Sequence, residues 1–157
     1  MILRTVFMTI LASTISASLA FAACGVPEPG RFVLNGPEVY DSKTNLTWQR
    51  CSFGQTWQQD KCVGSVQGLS WEQAKKKAGG NWRLPTRDEL LGLTETPCGM
   101  SDEAKKVFSE IDPLFRMYWS ATAPDDNLAW LVGFDNGSTF NGYRTAPNGV
   151  RLVRTGK

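Results

Sequence analysis

Apolar and polar residues alternate with the two-residue period of a β-strand in several short segments of this chain. In Leu46-Thr47-Trp48-Gln49-Arg50, the first, third and fifth residues share one face. This pattern predicts a half-buried strand with the Trp48 ring inside. Further strands are predicted over 31–34, 39–41, 118–122, 129–134, 138–140 and 150–154. Because the segment 129–134 has little polar character, we expect that strand to be central.

Helical patterns occur in the middle third of the chain. Two helices are predicted to begin with a capping box, in which the side chains of the first and fourth residues each accept a backbone N–H. These boxes run from Ser70 to Gln73 and from Thr86 to Glu89. A third helix is predicted from Ser101, with apolar residues at helical spacing: Ala104, Val107, Phe108 and Ile111. Short helices framed by strands predict an α+β fold.

The nine residues from Trp82 to Leu90 combine a strand end, a proline stop and a helix start. We expect Trp82, Leu84 and Leu90 to lie in the core. Arg83 and Arg87 are expected to pair with a carboxylate such as Asp88 rather than to contact a ligand. The structural signature of this segment is Trp82, Arg83, Leu84, Pro85, Thr86 and Glu89.

The N-terminal residues have the features of an export signal. Arg4 supplies a positive charge, an uncharged and mostly apolar run follows, and Ala20-Phe21-Ala22 has the small-x-small pattern of a cleavage site. Five Ser and Thr residues interrupt the run and no basic stop follows, which favours cleavage over a membrane span. We therefore expect a signal peptide over 1–22, a single domain over 23–157, and a secreted or periplasmic location without a stable membrane span.

The four cysteines, Cys24, Cys51, Cys62 and Cys98, form an even set in a chain expected to be exported, where thiols tend to be oxidised. Of the three pairings that four cysteines allow, we favour Cys51–Cys62, clamping a loop or hairpin in the polar segment 52–68, and Cys24–Cys98. The alternative for Cys24 is lipidation, because 21–24 approximates a lipoprotein cleavage box. A zinc site is disfavoured because the chain has no histidine and no CxxC pair.

Composition narrows the range of functions. The net charge of +2 is small and the charges are interspersed, so nothing indicates nucleic-acid binding. The absence of histidine excludes a Ser-His-Asp triad and an imidazole metal site. The cysteines are explained by disulfides, and the carboxylates at 88–89 and 102–103 by helix starts. We expect a protein that is not an enzyme and needs no cofactor.

Several ordered segments together resemble the Lcl C-terminal domain family (DUF1566), named after a Legionella collagen-like adhesin. They cover 46–50, 71–74, 80–90, 118–122, 129–132 and 150–154. The resemblance implies a C-type-lectin-like fold related to the formylglycine-generating sulfatase modifiers, which share Arg-Leu-Pro-Thr, here Arg83 to Thr86. It also implies binding of sulfated glycosaminoglycans by a trimer on a collagen-like stalk. This chain contains no collagen repeat and is nearly neutral.

Candidate ligand-binding residues are exposed cations and one aromatic side chain. Arg116, Tyr143 and Arg144 are predicted in loops, where Arg can hold a sulfate or carboxylate and Tyr can pack on a sugar. Lys75, Lys76 and Lys77 form a helix face that is either simply solvated or binds a polyanion. Asp125, Asp126 and Asn127 are weak calcium candidates. The expected partner is a glycan or, alternatively, an envelope protein; the oligomeric state stays open.

Overall fold

The computed structural model of the chain describes residues 28–94, 98–108 and 112–157. The expected signal peptide, Cys24 and Ile111 lie outside the described residues. The described strands are β1 (Phe32–Asn35), β2 (Glu38–Asp41), β3 (Leu46–Gln49), β4 (Thr56–Gln58), β5 (Lys61–Val63), β6 (Met117–Trp119), β7 (Leu128–Gly133), β8 (Thr139–Tyr143) and β9 (Val153–Thr155). The described helices are α1 (Trp71–Lys77), α2 (Arg87–Leu91) and α3 (Asp102–Val107).

Four antiparallel strands form the first sheet in the order β1-β2-β3-β9. Its register aligns Val39, Trp48 and Val153 on one face, and all three are buried in the core. Side chains on one face of a strand recur every second residue. We call the opposite face the outer face. It carries Glu38 and Tyr40 together with the residues that pair with them.

The expectation of a half-buried β3 was wrong at one position. Thr47 points to the outer face and is nevertheless only 2% exposed. Its hydroxyl donates a hydrogen bond to the Gly156 carbonyl at 2.5 Å. The residues after β9 therefore cover this part of the outer face and give the buried hydroxyl an acceptor, which removes the cost of burying it.

A second sheet has the order β6-β7-β8, so the apolar strand β7 is central as predicted. Residues 135–137 turn the chain from β7 into β8. The side chains of this sheet complete two core clusters. One contains Trp48, Leu90, Phe108 and Phe134, and the other contains Trp71, Leu84, Trp119 and Leu152.

The segment 52–68, expected to be a loop or a hairpin held by the disulfide, contains the hairpin of β4 and β5. Gln59 and Asp60 form its turn with φ of 48° and 62°. The predicted Cys51–Cys62 disulfide is confirmed, with 5.4 Å between the Cα atoms. No described cysteine is free, and the Cys24–Cys98 pairing stays a prediction because Cys24 is not described.

The two capping boxes are confirmed. Ser70 and Gln73 cap the start of α1, and Thr86 and Glu89 cap the start of α2. Ser101 caps α3 through a bond from the Ala104 amide at 3.0 Å. These bonds satisfy amides that have no partner within the helix, so each short helix has a defined start.

The terminal strand β9 is the last strand in its sheet. Its open side is covered by the signature segment. The amides and carbonyls of Arg83 and Val153 exchange two hydrogen bonds of 2.9 Å. Val150 and Leu152, just before β9, are buried in the cluster that contains Trp71 of α1, and Val153 is buried in the cluster that contains Trp48.

The fold is therefore α+β, with mostly antiparallel sheets, three short helices in the described part and one described disulfide. Among the described residues, no helix is long and apolar enough to cross a membrane.

Candidate functional site

The outer face of the first sheet holds a depression of about 410 Å³. Two tryptophan rings, Trp57 and Trp82, belong to its wall, and both are half-buried. Glu38, Gln49 and Gln55 add a carboxylate and two amides to the same lining. We call this the Trp57–Trp82 depression. It combines flat apolar surfaces with groups that donate and accept hydrogen bonds.

The hairpin of β4 and β5 brings Trp57 to this depression. Trp57 is paired in register with Cys62, and Cys62 is bonded to Cys51, which directly follows Arg50. The Arg50 guanidinium lies 4.1 Å from the Trp57 ring centroid. It also donates to the Val107 carbonyl at 2.9 Å. The disulfide and this anchored cation hold the ring in place on one face.

Trp82 reaches the depression from a tight turn after α1. Its amide donates to the Gly79 carbonyl at 3.1 Å. Gly80 takes a φ of +60°, a conformation that glycine adopts without steric cost. Arg83, which directly follows Trp82, is bonded to β9 through its backbone. The Arg154 guanidinium lies 5.4 Å from the Trp82 ring centroid.

A second depression of about 310 Å³ adjoins the first. It is lined by Val33, Leu34 and Tyr40, among others, and we call it the Tyr40 depression. Glu38 lines both depressions. Its carboxylate accepts a hydrogen bond from the Arg154 guanidinium at 2.9 Å, so an ion pair stands between the two.

A buried cation supports the floor of the Trp57–Trp82 depression. Arg151 is only 2% exposed and donates to the carbonyls of Gln49 and Arg50 and to the Ser52 hydroxyl. Ser52 in turn shares a hydrogen bond of 2.8 Å with the Tyr118 hydroxyl. Burial lowers the pKa of Arg151, partly offset by Tyr118. These bonds fix the chain over 49–52, which forms the floor.

Arg144 lies in the turn after β8, as predicted, but its side chain is half-buried rather than exposed. Its guanidinium donates to the carbonyls of Asp125 and Leu128 and lies 4.1 Å from the Trp71 ring centroid. The Lys75 ammonium lies 4.2 Å from the same centroid. The structure thus brings Arg144 and Lys75 together on one aromatic ring, where Arg144 ties the loop before β7 to α1.

The other predicted ligand residues are dispersed. Tyr143 ends β8 and is 72% exposed. Arg116 precedes β6 near the opposite end of β7, with its guanidinium 3.6 Å from the Asp135 carboxylate. Lys76 is exposed on α1. Lys77 lies 5.1 Å from the ring centroid of Phe53, which lines the Trp57–Trp82 depression. The structure does not gather these residues into one site.

The weak calcium candidates form a loop turn. One Asp125 carboxylate oxygen accepts the backbone amides of Asn127 and Leu128, at 2.7 and 2.8 Å. Asp126 is exposed in the same loop. Within the part of the chain that the structure describes, no group of three or more His, Cys, Asp or Glu residues could hold a metal ion.

The signature arginine pairs with a carboxylate other than the one suggested from the sequence. Arg83 donates two hydrogen bonds of 2.7 Å to Glu89, whereas Asp88 contacts Arg87. Burial raises the pKa of Glu89, but the bonds from Arg83 and Thr86 hold that pKa below its ordinary value. The Glu89 carboxylate therefore serves as both a helix cap and an ion-pair partner. Trp82, expected in the core, is half-buried: it packs against the second core cluster and also lines the Trp57–Trp82 depression.

Sequence reasoning missed Trp57, Glu38 and Tyr40 as members of a candidate site. Trp57 had a detectable signal, since it is the one large aromatic residue in the polar run Gln55-Thr56-Trp57-Gln58-Gln59. An isolated ring in a polar segment has few apolar neighbours in the chain to bury it. Glu38 and Tyr40 have no such signal, because their role depends on the pairing of four strands.

The family model of the Lcl C-terminal domain matches residues 37–154. The matched range runs from the start of β2 into β9 and includes Glu38, Trp57 and Trp82. No curated protein sequence matches the chain.

Proposed function

Since this chain belongs to the Lcl C-terminal domain family, we propose that it is an exported, non-catalytic binding domain that recognises glycans in an adhesin-like role. One observation carries the proposal: two half-buried tryptophans face a depression lined with amides and a carboxylate. The α+β architecture is compatible with the C-type-lectin-like fold that the family resemblance implies.

The chemistry of the Trp57–Trp82 depression suits a sugar. Tryptophan rings present a large apolar surface on which the C–H face of a pyranose packs. The Gln49 side chain offers a donor and an acceptor to hydroxyl groups, and Gln55, whose amide is bonded to the backbone of Ser52 and Gly64, keeps one N–H to donate. Glu38 is already neutralised by Arg154, so the lining favours hydroxyls over a dense negative charge.

Positively charged side chains near the Trp57–Trp82 depression also allow the ligand to be a sulfated polysaccharide. Arg50, Lys77 and Arg154 each lie against an aromatic ring that borders this depression. Glu38 offsets the charge of Arg154, and Asp60 acts on Arg50. A sulfated chain would gain salt-sensitive attraction from these cations, whereas a neutral glycan would bind independently of salt.

The proposed location is the periplasm or the exterior of the cell. Disulfides persist mainly in such oxidising compartments, and the chain contains the Cys51–Cys62 disulfide. The apolar N-terminal segment is proposed to be the export signal, with lipidation of Cys24 as the alternative. Intact-mass analysis of the mature protein decides between them, because a diacylglyceryl group on Cys24 excludes the soluble form.

The test is a glycan array that includes heparin, run on the oxidised mature protein with calcium and with a chelator. We expect binding that does not depend on calcium, because the Asp125 carboxylate is engaged with backbone amides. Trp57→Ala should abolish the signal, since it removes one wall of the depression. The matched control is Tyr143→Ala, which removes an exposed aromatic side chain from the other sheet.

The outcomes separate three hypotheses. Loss of binding with Trp57→Ala and retention with Tyr143→Ala supports the outer-face site. The reverse pattern supports the loop site predicted from the sequence. No signal on any glycan overturns the glycan proposal and favours the alternative, a structural or protein-interaction domain of the envelope.

A further inference from the structure

We infer that the ligand is a linear N-acetylated glycan that crosses the outer face, with neighbouring sugar units in the Trp57–Trp82 and Tyr40 depressions. This inference rests on the proposed function and adds two statements to it. The protein binds an internal stretch of a chain rather than a terminal sugar, and an acetamido group of that chain occupies the Tyr40 depression.

The continuity of the two depressions carries the first statement. Glu38 lines both of them, and Arg154 pairs with Glu38 while lying over the Trp82 ring and lining the Tyr40 depression. Glu38 and Tyr40 are two residues apart on β2, so they are separated by about 7 Å along the strand. A step of this size is one that neighbouring units of a single sugar chain can span.

The Glu38–Arg154 pair suits the junction between two units. A carboxylate accepts hydrogen bonds from hydroxyls, and the guanidinium donates to ring or linkage oxygens. The pair is partly buried, with side-chain exposures of 29% and 17%. It is therefore pre-positioned, and a sugar chain lying over it meets fixed donors and acceptors at little conformational cost.

The lining of the Tyr40 depression carries the second statement. Val33 lies on the edge strand β1, is in register with Tyr40 on the outer face and is 46% exposed, so an aliphatic side chain and an aromatic ring lie side by side there. Asn35 adds an amide to the same lining. An acetamido group has a methyl that packs on Val33 and Tyr40 and an amide that bonds with Asn35. An unsubstituted hexose would place hydroxyls on that apolar surface, which is unfavourable.

The charged groups around the Tyr40 depression are compatible with two kinds of N-acetylated chain. The ammonium of Lys157 lies 5.0 Å from the Tyr40 ring centroid, and Arg154 is paired with Glu38. A neutral chain of N-acetylglucosamine presents the acetamido group alone. A hyaluronan-type chain alternates this group with a carboxylate that Lys157 could contact. The shared chemistry is the acetamido group.

The experiment is isothermal titration calorimetry of the oxidised protein with a matched set of oligosaccharides. The probes are N-acetylglucosamine, its oligomers of two and six units, cellohexaose, and a hyaluronan hexasaccharide. We expect the affinity to rise at least about tenfold from the monosaccharide to the dimer, which is long enough to reach both depressions, and cellohexaose to bind at least about tenfold more weakly than its N-acetylated counterpart. Tighter binding of hyaluronan that declines with salt would identify the charged source.

Matched variants locate the acetamido subsite. The isosteric Val33→Thr should lower the affinity for the dimer and the hexamer about threefold to tenfold and leave the affinity for the monosaccharide unchanged. Leu114→Ala, at an 84% exposed leucine in the chain before β6, is the control and should change none of these affinities. Circular dichroism verifies that each variant is folded.

The failure of this inference is distinguishable from the failure of the proposed function. Equal affinity for the monosaccharide and the dimer overturns the extended chain and leaves glycan binding at Trp57 intact. Equal affinity for cellohexaose and its N-acetylated counterpart overturns the acetamido subsite. No binding of any probe, together with a silent glycan array, removes the proposed function and this inference with it.

Discussion

Removal of the Cys51–Cys62 disulfide should destabilise the domain and disable the Trp57–Trp82 depression together. The hairpin of β4 and β5 forms its own two-stranded sheet. An isolated hairpin of this kind is marginally stable in water. Trp57 lies opposite Cys62 in this hairpin, so the disulfide connects the ring to the end of the first sheet. The perturbation is the double variant Cys51→Ser/Cys62→Ser.

The magnitude follows from the length of the closed loop. The two cysteines are separated by 11 residues in sequence. In the chain-entropy model, a cross-link over such a loop removes about 9 cal/mol/K of entropy from the unfolded state, which is about 2.8 kcal/mol at 25 °C. The hairpin also loses its attachment in the folded state. The free energy of unfolding should therefore fall by about 2 to 3 kcal/mol.

Urea denaturation of both proteins, followed by circular dichroism, measures this difference. The glycan that gives the strongest array signal is then titrated under conditions in which both proteins remain folded. We expect the double variant to lose glycan binding, because Trp57 is no longer held against Arg50. A loss of stability below about 1 kcal/mol would refute the loop-closure argument. Full binding by the folded variant would refute the claim that the disulfide positions Trp57.

Three further predictions concern stability. Thr86→Ala removes one half of a capping box and should cost about 1 kcal/mol in urea denaturation while leaving glycan binding intact. Asp41→Asn leaves the Arg31 guanidinium beside a buried neutral group and should cost about 3 kcal/mol, whereas a change below about 1 kcal/mol would contradict a structural role for this pair. Glu89 has a lowered pKa in the folded state, so its contribution is full above the unfolded value of about 4.3 and is lost as the pH falls through the folded value. The free energy of unfolding should therefore decline more steeply between about pH 5 and 3 in the wild type than in Glu89→Gln, and parallel curves would exclude this origin.

Local features of the fold were predictable because they depend on neighbours in the chain. The Ser70 and Thr86 caps need only a side chain three residues away, and both were found where expected. Cys51 and Cys62 are close in sequence, so their pairing needed no knowledge of the sheet. The centrality of β7 followed from its own apolar composition.

Features that depend on distant segments were predicted less well. Thr47 alternates correctly with its neighbours but is buried by Gly156, which comes more than a hundred residues later. The Arg144 side chain was expected to be exposed to solvent because its own segment is polar. The groups that hold it, Trp71 and the carbonyl of Leu128, belong to α1 and β7. Polarity along a segment does not reveal contacts between elements.

The position of the depressions shows why the signature segment and the candidate site are related without being the same. Arg83 is bonded through its backbone to Val153 and through its side chain to Glu89. These contacts close the open side of β9 and anchor α2, so they are requirements of the fold. Trp82 directly precedes this double anchor, and its ring position is set by it. The signature therefore contributes one wall of the site as a consequence of its structural role, while the opposite wall, Trp57, comes from a hairpin outside the signature.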